Sequence, residues 1–231
     1  MTHPDYGQAF AAWRDAAGAD WDAYTRHAFV EGLADGTLPR ANFLFYLRQD
    51  YVFLRHFSRA WALAAAKADR MAEMTACAAT LHALVHHEMP LHIRICAAEG
   101  ISEADLEATR EAPENLAYTR YVLESGYSGD FLDLMAALAP CVLGYGEIGA
   151  RLKGADGPYR DWIETYGGEE YQDLCREVGG LIDGGLEHRL GPRWAQLPRW
   201  TMLTQRFATA TRLEIGFWQM GLRGDGAAPA A

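Results

Sequence analysis

RANFLFYLRQDYVFLRHFSRAWALAAAKADR, from Arg40 to Arg70, is the stretch that decides the fold. Apolar residues recur in it at Phe43, Leu47, Tyr51, Leu54, Phe57 and Trp61. That three-or-four spacing lays one apolar stripe along a helix. At 1.5 Å per residue the predicted helix is about 45 Å long, more than a small bundle usually carries. Outward from it, breakers cut the chain into helix-length pieces: Gly36 and Pro39, Gly100-Ile101-Ser102, Pro113, Gly126 to Gly129, Gly154 to Pro158, Gly167-Gly168 and Gly191-Pro192. Ser102-Glu-Ala-Asp105 has the form of a helix start, its hydroxyl placed to satisfy a first-turn N–H, so another helix is expected to open near Glu103. No run alternates Val, Ile, Thr and aromatic residues between turn dipeptides, as a strand would. The expectation is an all-α bundle of about seven to nine helices in a single domain over residues 1–223. The tail GDGAAPAA from Gly224 is expected to be disordered.

Composition narrows the function. Lys and Arg number 21 against 31 Asp and Glu, a net charge of −10, and no basic cluster occurs. Nucleic-acid and anionic-membrane binding both begin with phosphates neutralised by Lys and Arg, so neither partner is expected. With 50% hydrophobic residues the chain is not of the disordered class. A chain this long buries roughly 70–75% of its unfolded surface and needs neither disulfide nor metal to hold a core. Cys77, Cys96, Cys141 and Cys175 show no CxxC pair, which fits reduced thiols in a cytoplasmic protein. The N-terminal MTHPDYGQAFAAW lacks the basic and apolar regions of a signal peptide. The most apolar run, Phe131 to Gly146, is interrupted by Asp133 and Pro140 and falls short of the roughly 20 residues a bilayer needs.

Several residues invite chemistry. Pro140 precedes Cys141 inside LMAALAPCVLGYGEIG, where a proline is expected to kink the helix or start a new one. Cys141 would then sit near free N–H groups that lower a thiol pKa, with Tyr145 one turn along; the bland alternative is a small core cysteine. Asp50 lies beside the apolar stripe of the long helix and, if buried, needs a partner; a ligand edge with two N–H donors, a structural ion pair and a helix-surface position all fit the spacing. Glu214 sits among Leu213, Ile215, Phe217 and Trp218, company that raises a carboxyl pKa and suits a general acid, or equally a satisfied structural glutamate. His82, His86, His87, Glu88 and His92 contain i,i+4 pairs, but HEMPLH is not the zinc-protease HExxH pattern and no second Glu-x-x-His exists, so metal binding is weakly signalled. Gly144-Tyr-Gly146-Glu-Ile-Gly149 has no strand before it, which makes a nucleotide loop improbable.

NFLFYLRQDYVFLRHFSRAWALAAAKA, NLAYTRYVLESGYSGDFLDLMAALAPCVLGYGEIG, WIETYGGEEY and RFATATRLEIGFWQM together resemble the TenA/thiaminase II family, over about Phe10 to Leu222. The resemblance implies a haem-oxygenase-like all-α fold, usually a homotetramer, with no cofactor. It also implies hydrolysis of the aminomethyl amine of a thiamin breakdown product to hydroxymethylpyrimidine, with weaker cleavage of thiamin itself. In the family's cysteine-containing branch the nucleophile falls on Cys141 and the acid/base carboxylate on Glu214. The substrate-anchoring aspartate falls on Asp50, and the pocket aromatics on Tyr145, Tyr166, Tyr118 and Phe217. Phe53 departs from the pattern: many members carry tyrosine there, so a hydroxyl that could orient Glu214 is missing, and Tyr51 compensates only by facing differently. The alternatives are a cofactor- or dimetal-dependent oxidase using the 82–92 histidines, and a non-enzymatic ligand-binding or regulatory protein.

Overall fold

The computed structural model describes residues 3–225, and within them the chain is built from helices. In order these are α1 (Gln8–Ala17), α2 (Ala19–Thr25), α3 (Ala28–Asp35), α4 (Arg40–Lys67) and α5 (Met71–Ala83). A π-helical turn (Leu84–Glu88) leads into α6 (Met89–Ala98), followed by α7 (Glu103–Glu107), α8 (Pro113–Ser128) and α9 (Phe131–Leu152). Then come α10 (Arg160–Gly167), α11 (Glu169–Leu190), a 3₁₀ turn (Trp194–Gln196) and α12 (Pro198–Arg223). Since α5, the π-turn and α6 run on as one rod, nine rods among the described residues reach eight residues or more. Only the short α2 and α7 go beyond the seven to nine expected. Helix starts and stops fall on the breakers: Gly36 closes α3 at φ +75°, Pro113 opens α8, and Ser102 with Asp105 forms a reciprocal cap on α7. Of the tail, residues 226–231 lie outside the described residues, and Gly224 ends α12 at φ +69°.

The bundle is organised around α9. Asp130 accepts from the N–H groups of Leu132 and Asp133, and Asp133 accepts from the Asp130 N–H in return. Arg199 and Arg206 of α12 bind the same Asp133 carboxylate at 3.1 and 3.0 Å, which fixes the two helices to each other. Every residue of α9 except Ala150 and Arg151 is buried. Its mean hydropathy of 1.4 would suit a membrane span, but α8, α10, α11 and α12 enclose it, so its apolarity is that of a core helix. The glycines of the GxGxxG-like run are where neighbours come closest: Tyr24 lies on Gly144, Cys175 and Tyr6 on Gly146, and the Tyr166-Gly167 backbone on Gly149. This run is a packing stripe.

Pro140 does not do what the sequence suggests. No new helix begins there; α9 runs unbroken through it. Proline removes one N–H and leaves the Ala136 carbonyl without its usual donor. Packing on every side holds the two halves in line, and Tyr24 donates its hydroxyl to the Pro140 carbonyl at 3.1 Å.

Candidate active site

Five of these rods converge on one buried constellation. Helix α4 contributes Asp50 and Phe53, α8 Tyr118, α9 Cys141 and Tyr145, α10 Tyr166, and α12 Glu214 and Phe217. All eight residues expected from the sequence therefore meet at one place. Tyr118 donates its hydroxyl to Glu214 Oε1 at 2.8 Å. Phe53 packs between Tyr118 and Phe217, with ring centres 5.0 and 5.4 Å away, and Tyr145 lies 5.0 Å from Tyr166. Aromatic side chains are thus gathered around two carboxyls and a thiol, the residue types that suit a flat heteroaromatic ring with polar edges.

Burial sets the charge states. Glu214 is 1% exposed. Burial pushes its carboxyl up to about 8 against the Tyr118 hydrogen bond, with the Asp50 charge adding to the rise, so at neutral pH it holds a proton. Burial also pushes the Cys141 thiol well up, and the Glu214, Glu88 and Asp50 carboxylates raise it further. The expected low-pKa thiol at a helix start is therefore corrected. Cys141 sits in mid-helix, where the neighbouring N–H groups are spent on the helix itself, and the surrounding charge is negative.

Asp50 has protein partners that the sequence did not single out. Tyr46, one turn earlier on α4, donates to Asp50 Oδ2 at 3.1 Å, and its hydroxyl lies 3.4 Å from that of Tyr145. Trp162 donates its indole N–H to the same Tyr46 oxygen at 3.4 Å. His92 of α6 is wholly buried, with Nε2 2.7 Å from Asp50 Oδ2; the contact is an ion pair, because the ring N–H direction runs off the oxygen. Burial by itself lowers the His92 pKa, but Asp50 and then Glu88 raise it above 6.5. Glu88 ends the π-turn, in which the Met89 N–H reaches back to the Leu84 carbonyl; such turns often mark functional positions. Its Oε1 accepts from the Tyr166 hydroxyl at 2.7 Å, and burial pushes its carboxyl up to about 7. The i,i+4 spacing of Tyr46 to Asp50 and of Glu88 to His92 was a usable signal for shared faces. Nothing in the sequence tells which face meets which.

The missing hydroxyl at Phe53 is supplied elsewhere. Tyr118 orients Glu214, which makes it more than a pocket wall. Tyr51 does not compensate: it faces Glu103 and Glu107 of α7, whose charges act on its phenol. The histidine run divides. His82, with its ring 4.4 Å from that of His86, stands with His86 and His87 at the surface, whereas His92 belongs to the site. Among the described residues no three His, Cys, Asp or Glu side chains are grouped to hold a metal ion. A groove of about 800 Å³ runs between the π-turn and the α10–α11 junction, and Glu88 and Tyr171 are in its wall. Both are electrostatic neighbours of the inner constellation, as Glu88 is of Cys141 and Tyr171 is to Cys141 in turn.

Comparison with known proteins places this geometry in context. The TENA/THI-4/PQQC family model matches residues 14–224. An aminopyrimidine aminohydrolase of Halalkalibacterium halodurans is 36% identical over 87% of this chain and 89% of its own. The aminopyrimidine aminohydrolase of Bacillus subtilis is 31% identical over 92% and 89%. Among solved structures, a protein of Silicibacter sp. TM1040 described as a TenA family transcription regulator superposes with a TM-score of 0.92 at 62% identity, covering 94% of this chain and 97% of its own.

Proposed function

Because the chain belongs to the TENA/THI-4/PQQC family, we propose that it is an aminopyrimidine aminohydrolase that replaces the exocyclic aminomethyl amine of a thiamin breakdown product by hydroxyl, with thiamin itself as a poorer substrate. The observation that carries this reading is a fully buried Glu214, oriented by the Tyr118 hydroxyl and with its carboxyl pushed up by burial, near the Cys141 thiol. Expelling an amine needs a proton donor, and the methylene accepts water only after the ring is activated by a nucleophile.

The charge states suggest an order of events. With three carboxyls raising its pKa, Cys141 starts as a thiol, so its sulfur adds to a ring carbon while its proton passes to the adjacent ring nitrogen. The C–N bond to the amine then breaks as Glu214 gives its proton to the leaving nitrogen, releasing ammonia. Water adds to the exposed methylene and returns a proton to Glu214. The sulfur–carbon bond finally breaks, the ring nitrogen gives back its proton, and the thiol is restored. The sum is amine plus water to alcohol plus ammonia. Asp50 binds the polar edge of the ring, and Tyr145, Tyr166, Phe53 and Phe217 cover its faces.

The same reading takes the protein as a cytoplasmic homotetramer with a small-molecule substrate and no nucleic-acid or membrane partner. The regulator description of the 62%-identical relative raises a second possibility, ligand binding without turnover. A net charge of −10 with no basic cluster weighs against direct contact with DNA. One assay separates the readings: incubation with aminomethylpyrimidine and with thiamin, measuring ammonia and hydroxymethylpyrimidine. Turnover of the aminomethyl compound is expected. Saturable binding with no ammonia released would refute the hydrolase, and sedimentation of the purified protein tests the tetramer.

A further inference from the structure

His92 has no task in the chemistry above, yet both of its ring nitrogens face oxygen. Nδ1 is 2.9 Å from the Glu88 carbonyl and Nε2 is 2.7 Å from Asp50 Oδ2. A carbonyl oxygen only accepts, so Nδ1 carries hydrogen, a tautomer assigned from what the ring faces. With that nitrogen committed, a neutral ring would leave a bare, unprotonated Nε2 2.7 Å from a carboxylate oxygen. Two acceptors repel there, and the cost is high in a buried place. Nε2 therefore carries hydrogen as well, and the ring faces Oδ2 as a cation. The groups that face this proton are Asp50 and Tyr46 from α4 and Glu88 from the π-turn, with Tyr166 of α10 bonded to Glu88; among the described residues none of them is a cation. His92 is thus the counter-charge of Asp50.

We propose that His92 is the positioning residue of this site: paired with Asp50 Oδ2, which Tyr46 also holds, it fixes the carboxylate so that Oδ1 is left to accept from the ring amine of the pyrimidine. Among the described residues Oδ1 receives no hydrogen bond from the protein, whereas Oδ2 has both partners. An aspartate on a helix has rotatable side-chain bonds. An anchor for a planar ring works only if its free oxygen is fixed to within a fraction of an ångström, which is what a partner on the other oxygen secures. The inference rests on the hydrolase reading for the identity of the ligand, but its charge arrangement belongs to the free protein.

The test has two arms. Nitrogen-15 NMR of the histidine ring in the unliganded protein reads the pair directly. In wild type both nitrogens of His92 should be protonated at neutral pH, with the proton lost only as pH rises above the ordinary histidine value. Asp50→Asn should move that titration down from its wild-type position, since only Glu88 then opposes the effect of burial. A neutral His92 ring in wild type at pH 6 overturns the proposal. In the kinetic arm, His92→Leu should lower kcat/KM for aminomethylpyrimidine at least about tenfold, mainly through KM, and His92→Gln, which still offers an N–H, should recover most of the loss. In an Asp50→Asn background the same His92→Leu change should matter less than about twofold, because the residue acts through Asp50. Equal losses in both backgrounds would reduce His92 to a packing residue. Should wild type release no ammonia at all, the hydrolase reading fails alone, and the NMR arm still decides for or against the pair.

Discussion

Replacing Glu214 by Gln should cost activity and add stability, and the two effects come from one proton. Glu214→Gln keeps the acceptor oxygen for the Tyr118 hydroxyl and the shape of the side chain, but has nothing to ionise. In wild type, burial moves the carboxyl from 4.5 to about 8. Below the lower value the group is protonated in both folded and unfolded chains and does not affect the balance. Between the two values the unfolded chain ionises while the folded chain keeps its proton. Wild-type stability therefore falls as pH rises, by about 1.4 kcal/mol per unit, until the folded carboxyl also ionises. The shift corresponds to about 5 kcal/mol, a large share of the ~5–15 kcal/mol that holds a domain together.

The assay is denaturant unfolding of both proteins at intervals from about pH 5 to about pH 9, with equal m-values as the check that the unfolded states match. Other titrating groups cancel in the difference, so the two curves should start close together and separate with the mutant above. Turnover by the mutant should fall by about two to four orders of magnitude if the proton donor is lost. Curves that stay parallel to within about 1 kcal/mol would mean that Glu214 is ionised at neutral pH, and the proton-donor role would go with it.

The other expectations are simpler to state. Cys141→Ser should nearly abolish turnover with the helical fold intact; retention of more than about a tenth of kcat, a loss under ~1.4 kcal/mol, would rule out an essential nucleophile. Tyr118→Phe removes the hydrogen bond that favours the Glu214 carboxylate, so the alkaline limb of kcat/KM should move up by about one pH unit; no movement, or a downward one, would refute the assigned donor. Gly144→Ala would drive a methyl into the Tyr24 hydroxyl, 2.7 Å from the added carbon, and should cost about 1–3 kcal/mol in thermal unfolding; an unchanged Tm would show that the stripe has slack. Dialysis against a strong chelator should leave activity unchanged, and a loss restored specifically by iron or manganese would favour the oxidase alternative.

Legibility followed the range of the physics. The α4 stripe, the Ser102 cap and the Gly and Pro breaks are local, and they placed rods and ends nearly where they lie; α4 stops at Lys67, three residues short of the expected Arg70. Local pattern had singled out Cys141, Tyr145, Asp50 and Glu214, but the role given to each of the eight site residues came from resemblance across four segments. What local reasoning got wrong was the environment of Cys141. A proline before a cysteine suggested a helix start with free N–H donors, but whether a helix breaks at proline depends on what encloses it. Here α9 is buried along nearly its whole length. The histidine run shows a related limit: i,i+4 spacing says that Glu88 and His92 share a face, and only the crossing of α6 with α4 makes Asp50 the partner of His92.

The protons in the site also constrain when the thiol can become a nucleophile. Glu214, Glu88, Asp50 and Cys141 could carry four negative charges in one low-dielectric region, and neighbouring like charges there cost several kcal/mol per pair even when partly screened. His92 offsets one of them, at Asp50. Glu214 avoids a second by staying protonated, and Glu88 is poised to do so near neutral pH. Burial and these acidic neighbours all raise Cys141, and no cation is among the described groups that act on it, so a resting thiolate would be a charge with nothing to offset it. The thiol consequently has to lose its proton in the same step that forms the sulfur–carbon bond, to a base that the substrate brings. A pyrimidine supplies one in the ring nitrogen next to the attacked carbon. It follows that alkylation of Cys141 by a reagent with no such nitrogen should be slow at neutral pH and accelerate only at high pH. Fast alkylation at pH 7 would reveal a thiolate, and with it a cation or a donor that this arrangement does not contain.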